Sequence, residues 1–359
     1  MELNVDDEWE QFMSSSAEEN ATYDTNIMSS QLDADNCPKA TDIYISTKTN
    51  IAYLNEPVDL KRVFWEIPVM KYGTPKEGVI KKQMKFNSVV KEDLDDIVAR
   101  LENEYCVEQN ILTSIDNPTG RIKFKDIRKV SIGISKKDIL SYRSKKKSAF
   151  YNCFVVILRI RNDNTFKEFH VKVFNTGKLE IPGIQTDKSF NDILDMVVSI
   201  LSPYFETPIC VLPDKTQTVL INSNFNCGFF INREVLFDIL RTKYNIECIY
   251  DPCSYPGIQS KFYYDKHAII QSGAHQSDKE NDNNVSFMIF RTGSVLIVGK
   301  CEENVLRIIY EFLKKLLIDE FSNIGTHIIG DASEYKNKNK NTKIRKKTIV
   351  METGAETSV

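Results

Sequence analysis

Histidine is scarce in this chain: there are four in 359 residues, scattered at 170, 267, 275 and 327. The eight cysteines stand at 37, 106, 153, 210, 227, 248, 253 and 301, with no CxxC among them. No zinc-ligand spacing results, so neither metal nor cofactor is expected. Ser-His-Asp, paired-carboxylate and phosphate-loop constellations are missing too, and an enzyme is not expected. No apolar run approaches a membrane span, and the N-terminus is acidic rather than basic-then-apolar. These gaps point to an intracellular, non-secreted protein with reduced thiols and no membrane partner.

One whole segment lacks basic residues. Residues 1–38 hold ten acids, from Glu2 to Asp35, and no Lys or Arg. Without an apolar period, residues 1–40 read as a disordered acidic arm. The far end, 331–359, reads as a disordered basic tail with seven Lys or Arg against four acids. The net charge of −3 therefore conceals a mildly basic body, which fits a polyanionic partner without requiring one.

What the chain does have is a stretch written twice. Phe-Asn-Thr-Gly-Lys-Leu-Glu-Ile-Pro-Gly runs from Phe174 to Gly183, and Phe-Arg-Thr-Gly-Ser-Val-Leu-Ile-Val-Gly from Phe290 to Gly299. Each follows a strand-like run and precedes an amphipathic helix pattern. A fainter pair lies upstream, where Thr41–Val63 aligns without a gap on Thr218–Leu240. Two units follow, at 41–205 and 206–330. The upstream pair is offset by 177 and the downstream pair by 116, so the first unit is longer by 61 residues. The excess is placed in an insertion at about 74–147, with its own helix pattern from Val89 to Glu104.

Local signals place the other elements. Asn55 is a candidate cap for a short helix with Pro57 in its first turn. In the last helix, Val305, Ile308, Ile309, Phe312 and Leu316 share one face. His275–Asn284 reads as an exposed loop. The long helices can cover one face of an antiparallel sheet, and the other should then be polar. Instead Phe154–Leu158, Phe287–Phe290 and Val295–Val298 are apolar throughout. Either a second layer covers that face or it is open to a partner.

These residues carry a resemblance. Tyr250-Asp-Pro-Cys-Ser-Tyr-Pro-Gly257 resembles the Tyr-Glu-Pro-x-x-Phe-Pro-Gly segment of the TATA-binding protein (TBP) family, and the doubled Phe-x-x-Gly stretch resembles that family's doubled signature. The likeness covers about 41–72 and 149–320, and is greatest to homologues encoded by large DNA viruses. It implies an α+β saddle of two pseudo-symmetric halves: a curved antiparallel sheet of ten strands with helices on its convex face. It also implies a transcription initiation factor that kinks AT-rich double-stranded DNA by wedging apolar side chains into the minor groove. A bridging initiation factor and RNA polymerase would be its partners, in a nucleus or a cytoplasmic viral factory. The alternative is a TBP-fold interaction scaffold with weak or no specific DNA binding.

Carried over by position, the resemblance implies a DNA contact for Asn224, with Asn222 as the fallback on the same strand face. Tyr255 and Phe290 become wedges in the second half and Phe174 in the first. The partner of Phe174 is open: Phe154 is the candidate, with Cys153 and Phe150 nearby. Lys261, Arg159 and Lys178 stand at phosphate-contacting positions. Leu296 and Val298 keep the groove face apolar, while Glu180 and Pro182 depart from the pattern. Asp251, Cys253 and Ser254 would meet the bridging factor.

Overall fold

Runs of Ile, Val, Thr and Phe alternate with two long amphipathic patterns, and the chain resolves them into one sheet backed by helices. The computed structural model describes residues 37–140, 151–162, 165–275 and 283–326. Strand β1 (Tyr44–Tyr53) leads into helix α1 (Leu60–Glu66). Then come β2 (Gly78–Ser88), α2 (Lys91–Leu101), β3 (Val107–Asp116), β4 (Phe124–Gly133) and the short α3 (Lys136–Leu140). The meander β5 (Cys153–Asn162), β6 (Thr165–Phe174) and β7 (Lys178–Ile184) runs into α4 (Asp187–Leu201).

The second run opens with β8 (Gln217–Asn226), β9 (Phe230–Ile231) and α5 (Arg233–Thr242). It continues through β10 (Cys248–Ile249), β11 (Ile258–Tyr264), β12 (Asn283–Ile289) and β13 (Ser294–Gly299) to α6 (Glu303–Asp319). Helix α7 (Phe321–Ile324) and β14 (Gly325–Thr326) follow, and β14 pairs with β9 away from the main sheet.

Twelve strands form one sheet in the order β10-β11-β12-β13-β8-β1-β7-β6-β5-β2-β4-β3, with every described pairing antiparallel. Outward from the central β1–β8 pair, β7, β6, β5 and β2 answer to β13, β12, β11 and β10. The register supports the match. Lys172 pairs with Glu180 where Met288 pairs with Leu296, and Val173 with Leu179 where Ile289 pairs with Val295. Each residue of the first run stands 116 positions before its counterpart in the second.

Three sequence expectations change. The stretch 74–147 is not wholly an insertion: its β2 takes the place that β10 has in the second run, and only β3 and β4 extend the sheet beyond the expected ten strands. Asn55 caps nothing. Asp59 is the cap of α1, accepting from the Arg62 N–H at 3.2 Å, because the chain needs extra residues to leave β1 before it can turn. Asn55 instead ties down the 208–210 segment, donating to the Pro208 carbonyl and accepting from the Cys210 N–H. Finally, the buried stripe of α6 is Leu306, Ile309, Tyr310, Leu313, Leu316 and Leu317, and Ile308 is exposed. That helix is apolar on two adjacent stripes, so periodicity alone could not choose between them.

The helices lie against one face of the sheet. In the first run, α4 sets Phe190, Ile193, Leu194, Val197 and Leu201 onto Val156, Leu158, Val171, Val173, Leu179 and Ile181. In the second run, α5 and α6 cover Ile221, Phe225, Ile258, Phe262, Phe287, Ile289, Val295 and Ile297. Each such large side chain withdrawn from water contributes about 1.5–3 kcal/mol. The Lys82 ammonium is also buried on this side. It donates to the Ile67 carbonyl at 2.8 Å and the Trp65 carbonyl at 3.3 Å, satisfying the C-terminal end of α1. Burial pulls its pKa below the usual lysine value. No described helix is long and apolar enough to cross a membrane.

The doubled stretch forms two turns of one kind. The Gly177 N–H donates to the Phe174 carbonyl and the Gly293 N–H to the Phe290 carbonyl, each at 3.0 Å. Both glycines have φ of +77°, a conformation that side-chain-bearing residues rarely adopt.

Candidate nucleic-acid interface

Side chains alternate across a strand, so each residue between two helix-facing positions points to the opposite face. On the second run that face carries Leu220, Met288, Phe290, Leu296 and Val298, a close-packed apolar cluster with Tyr255 against it. It is separate from the core beneath the helices. The rings of Tyr255 and Phe290 meet edge to face, with centroids 6.0 Å apart. Gly257 makes this approach possible: a Cβ there would lie 3.0 Å from both rings. Burial raises the Tyr255 hydroxyl pKa well above its ordinary value.

Asn222 and Asn224 border the cluster in register, Asn222 opposite Val298 and Asn224 opposite Leu296. Both are half-buried, and among the described residues neither side-chain amide is engaged in a hydrogen bond. On β1 they face Thr47 and Tyr44. Asn226, two positions on, is spent on its own turn. It donates to the Thr292 carbonyl and the Ser294 hydroxyl and accepts from the Gly228 N–H.

The corresponding face of the first run is charged. Lys172 stands where Met288 does and Glu180 where Leu296 does. They form an ion pair at 2.7 Å, with the Lys178 ammonium 4.0 Å from the same carboxylate. The Lys178 ammonium also lies over the Phe174 ring, 5.1 Å from its centroid. Glu180 is thus held between two cations, and the first half of this face is polar where the second is apolar.

The pairing redraws the candidate wedges. Phe154 pairs with Val173, as Ile258 pairs with Ile289. Phe154 therefore corresponds to Ile258 and points to the helix side, where it is buried against Phe64. This corrects the reading of Phe154 as a groove residue. Three residues before each of these positions stand Tyr151 and Tyr255, so Tyr151 corresponds to Tyr255. Sequence reasoning passed over it, because the β11–β12 connection is longer than the β5–β6 connection and no constant offset spans both hairpins. Phe150 lies outside the described residues. Cys153 is buried opposite Phe174, with its thiol pKa pushed up to about 11 by burial.

The basic candidates differ in freedom. The Arg159 guanidinium is buried and donates to the carbonyls of Tyr72 and Thr74 at 2.8 and 3.0 Å, stacked over the Tyr72 ring. It holds that loop, which corrects its reading as a phosphate contact. Lys261 lies on the groove side, opposite Ser286, but its ammonium is 2.7 Å from the Glu247 carboxylate. Among the described residues, no cluster of three or more His, Cys, Asp or Glu could hold a metal ion.

The Tyr250–Gly257 segment links β10 to β11, with Asp251, Cys253 and Ser254 exposed. The Asp251 carboxylate accepts from the Ser254 hydroxyl and the Cys253 N–H, and these bonds lower its pKa below the usual value. Arg233 of α5 braces the loop, donating to the Pro256 carbonyl and lying over the Tyr250 ring.

No family model matches the chain. It is 24% identical over 209 residues to a TATA-box-binding protein-like protein of Acanthamoeba polyphaga mimivirus, a match covering 50% of this chain and 52% of the relative. The chain thus spans about half the length of that curated relative. Among solved structures, Methanococcus jannaschii TBP aligns with a TM-score of 0.36 and 15% identity, over 79% of this chain and 99% of that one. By sequence, half of the chain is similar to a viral TATA-box-binding protein-like protein.

Proposed function

We propose that this chain is a TBP-like transcription initiation factor that binds the minor groove of AT-rich duplex DNA, mainly through its second half. The single observation that carries the reading is the apolar cluster of Leu220, Met288, Phe290, Leu296 and Val298 on the sheet face away from the helices, with the Asn222 and Asn224 amides at its rim. These five side chains are 2–9% exposed in the free chain; the minor groove offers few distinguishing hydrogen-bonding groups, so an apolar cluster rimmed by a few amides suits it. Phe290 and Tyr255 supply the wedge, and unstacking a base step costs roughly a few kcal/mol that apolar contact must offset. Duplex ends labelled for energy transfer give the test. An AT-rich duplex should be bent on binding and a GC-rich one should not. Equal responses from both would sink the reading.

The Lys172–Glu180 pair favours a second reading, a scaffold that retains the fold without specific DNA binding. Tight capture of an initiation factor by a chain that bends no duplex would establish it.

The exposed loop at Asp251, Cys253 and Ser254 is the proposed seat of a bridging initiation factor. Because the Asp251 carboxylate is turned into its own loop, the loop's shape is what the partner would read, and Asp251→Arg should disrupt that shape. Pull-down with a cognate bridging factor should weaken at least tenfold, about 1.4 kcal/mol. Unchanged capture would remove the loop from the interface.

A further inference from the structure

Strand β3 is one edge of the sheet and β10 is the other. β10 is two residues long, too short to take up another strand. β3 is ten residues long, with no Pro, Lys or Arg along it, and among the described residues its outer side pairs with nothing. Ile111 and Leu112, at its middle, are 53% and 36% exposed. The ladder with β4 passes from Ile111 to Thr113, so Leu112 is an extra residue at a bulge. The bulge resets the alternation. Before it, Gln109 stands opposite the core residue Val130, so Gln109 is on the helix side and Glu108 on the groove side. After it, Ser114 stands opposite Asp126, four positions before Val130 and on the same side, so Ser114 is on the helix side and Ile115 on the groove side.

We propose that β3 pairs antiparallel with β3 of a second copy, about a twofold axis that passes between Ile111 and Leu112 perpendicular to the sheet. Such an axis keeps the helix sides of both copies together, so only residues on the same side can meet. In an unbroken strand the axis would have to pass through a residue. The bulge permits one between residues. With Ile111 opposite Leu112, Gln109 meets Ser114 on the helix side and Glu108 meets Ile115 on the groove side. The second acid of β3, Asp116, meets Val107, so no like charges are opposed. A slip of one residue would set Glu108 against Asp116. Lys125 neighbours Ile115 in the β3–β4 ladder, one strand away from Glu108 of the second copy. Beyond the strand ends, the exposed Arg121 of one copy lies toward the exposed Glu102 of the other. The charge pattern is thus complementary to itself, and a twofold contact of this kind closes at the dimer. The contact lies at the edge of the sheet, away from the Phe290 cluster, and does not depend on the minor-groove reading.

The test is analytical ultracentrifugation of the full chain without DNA. A ten-residue edge buries less than a standard interface, so association should be weak: from about 1 µM to about 1 mM, monomers should pass to dimers and to nothing larger. Ile111→Lys/Leu112→Lys gathers four lysines at the axis and should leave monomers throughout, with the thermal midpoint of wild type. Two further variants read the register at exposed positions. Gln109→Lys/Ser114→Glu places a pair of opposite charges on each side of the axis and should tighten the dimer by about fivefold. Gln109→Lys/Ser114→Lys opposes like charges there and should weaken it by a similar factor. A wild type monomeric throughout, or one that grows beyond the dimer, would overturn the pairing. So would a dimer unmoved by Ile111→Lys/Leu112→Lys, or two charge variants that behave alike.

Discussion

Phe290→Ala should abolish duplex bending and weaken binding by about 10- to 100-fold, whereas Phe174→Ala should cost less than about fivefold. Base–aromatic contact is worth roughly 1–3 kcal/mol per base, and tenfold in affinity is about 1.4 kcal/mol. The two phenylalanines occupy equivalent turns, but their neighbours differ. Phe290 is backed by Met288, Leu296 and Tyr255, a buried apolar cluster with no charged group among its members. Phe174 has Lys172, Glu180 and Lys178 beside it, and their hydration must be stripped before a base can approach. Phe290 is also buried, so its truncation carries a packing cost. Phe290→Leu separates the effects: it should keep most of the stability and still lose most of the bending. Equal losses from Phe174→Ala and Phe290→Ala would show that the charged half wedges as well as the apolar one.

Gly293→Ala should be among the most destabilising single substitutions in the chain, with Gly177→Ala close behind. The positive φ alone costs roughly 1–3 kcal/mol once a Cβ is present. Space adds to it. A Cβ on Gly293 would fall 2.2 Å from the Phe229 carbonyl oxygen, and on Gly177 2.5 Å from that of Glu56. Backbone must move in both cases, and each glycine carbonyl accepts a bond from the end of a central strand, from Leu54 and Cys227. Gly183 is the internal control, with φ of +82° and nothing within 4 Å of its Cβ position. Denaturant midpoints should therefore fall most for Gly293→Ala and Gly177→Ala and less for Gly183→Ala. Equal losses at all three positions would mean that the carbonyl contacts carry no energy.

The sequence by itself determined a good deal. The doubled stretch placed Phe174 and Phe290 in equivalent turns, because a turn that needs φ above zero demands Gly at a fixed offset from the strand end. Strand alternation put Asn222 on the same face of its strand as Asn224, and Leu296 on the same face of its strand as Val298, because the period of two admits no other arrangement within a regular strand. The apolar second face was legible as strands that failed to alternate.

Tertiary structure decided what depends on register between distant segments. Phe154 went to the core and Tyr151 to the groove side because β5 pairs with β6 across a hairpin of its own length. Arg159 was drawn to the Tyr72 and Thr74 carbonyls, partners some 85 residues away in the chain. Lys172, unremarkable in sequence, became the counterion of Glu180 only when β6 met β7. The two extra strands were joined to the sheet because β2 serves two neighbours at once, β5 and β4. Local propensity selects strands and turns from a few adjacent residues. Which strand faces which, and therefore which charges meet, is set by long-range pairing that no single segment encodes.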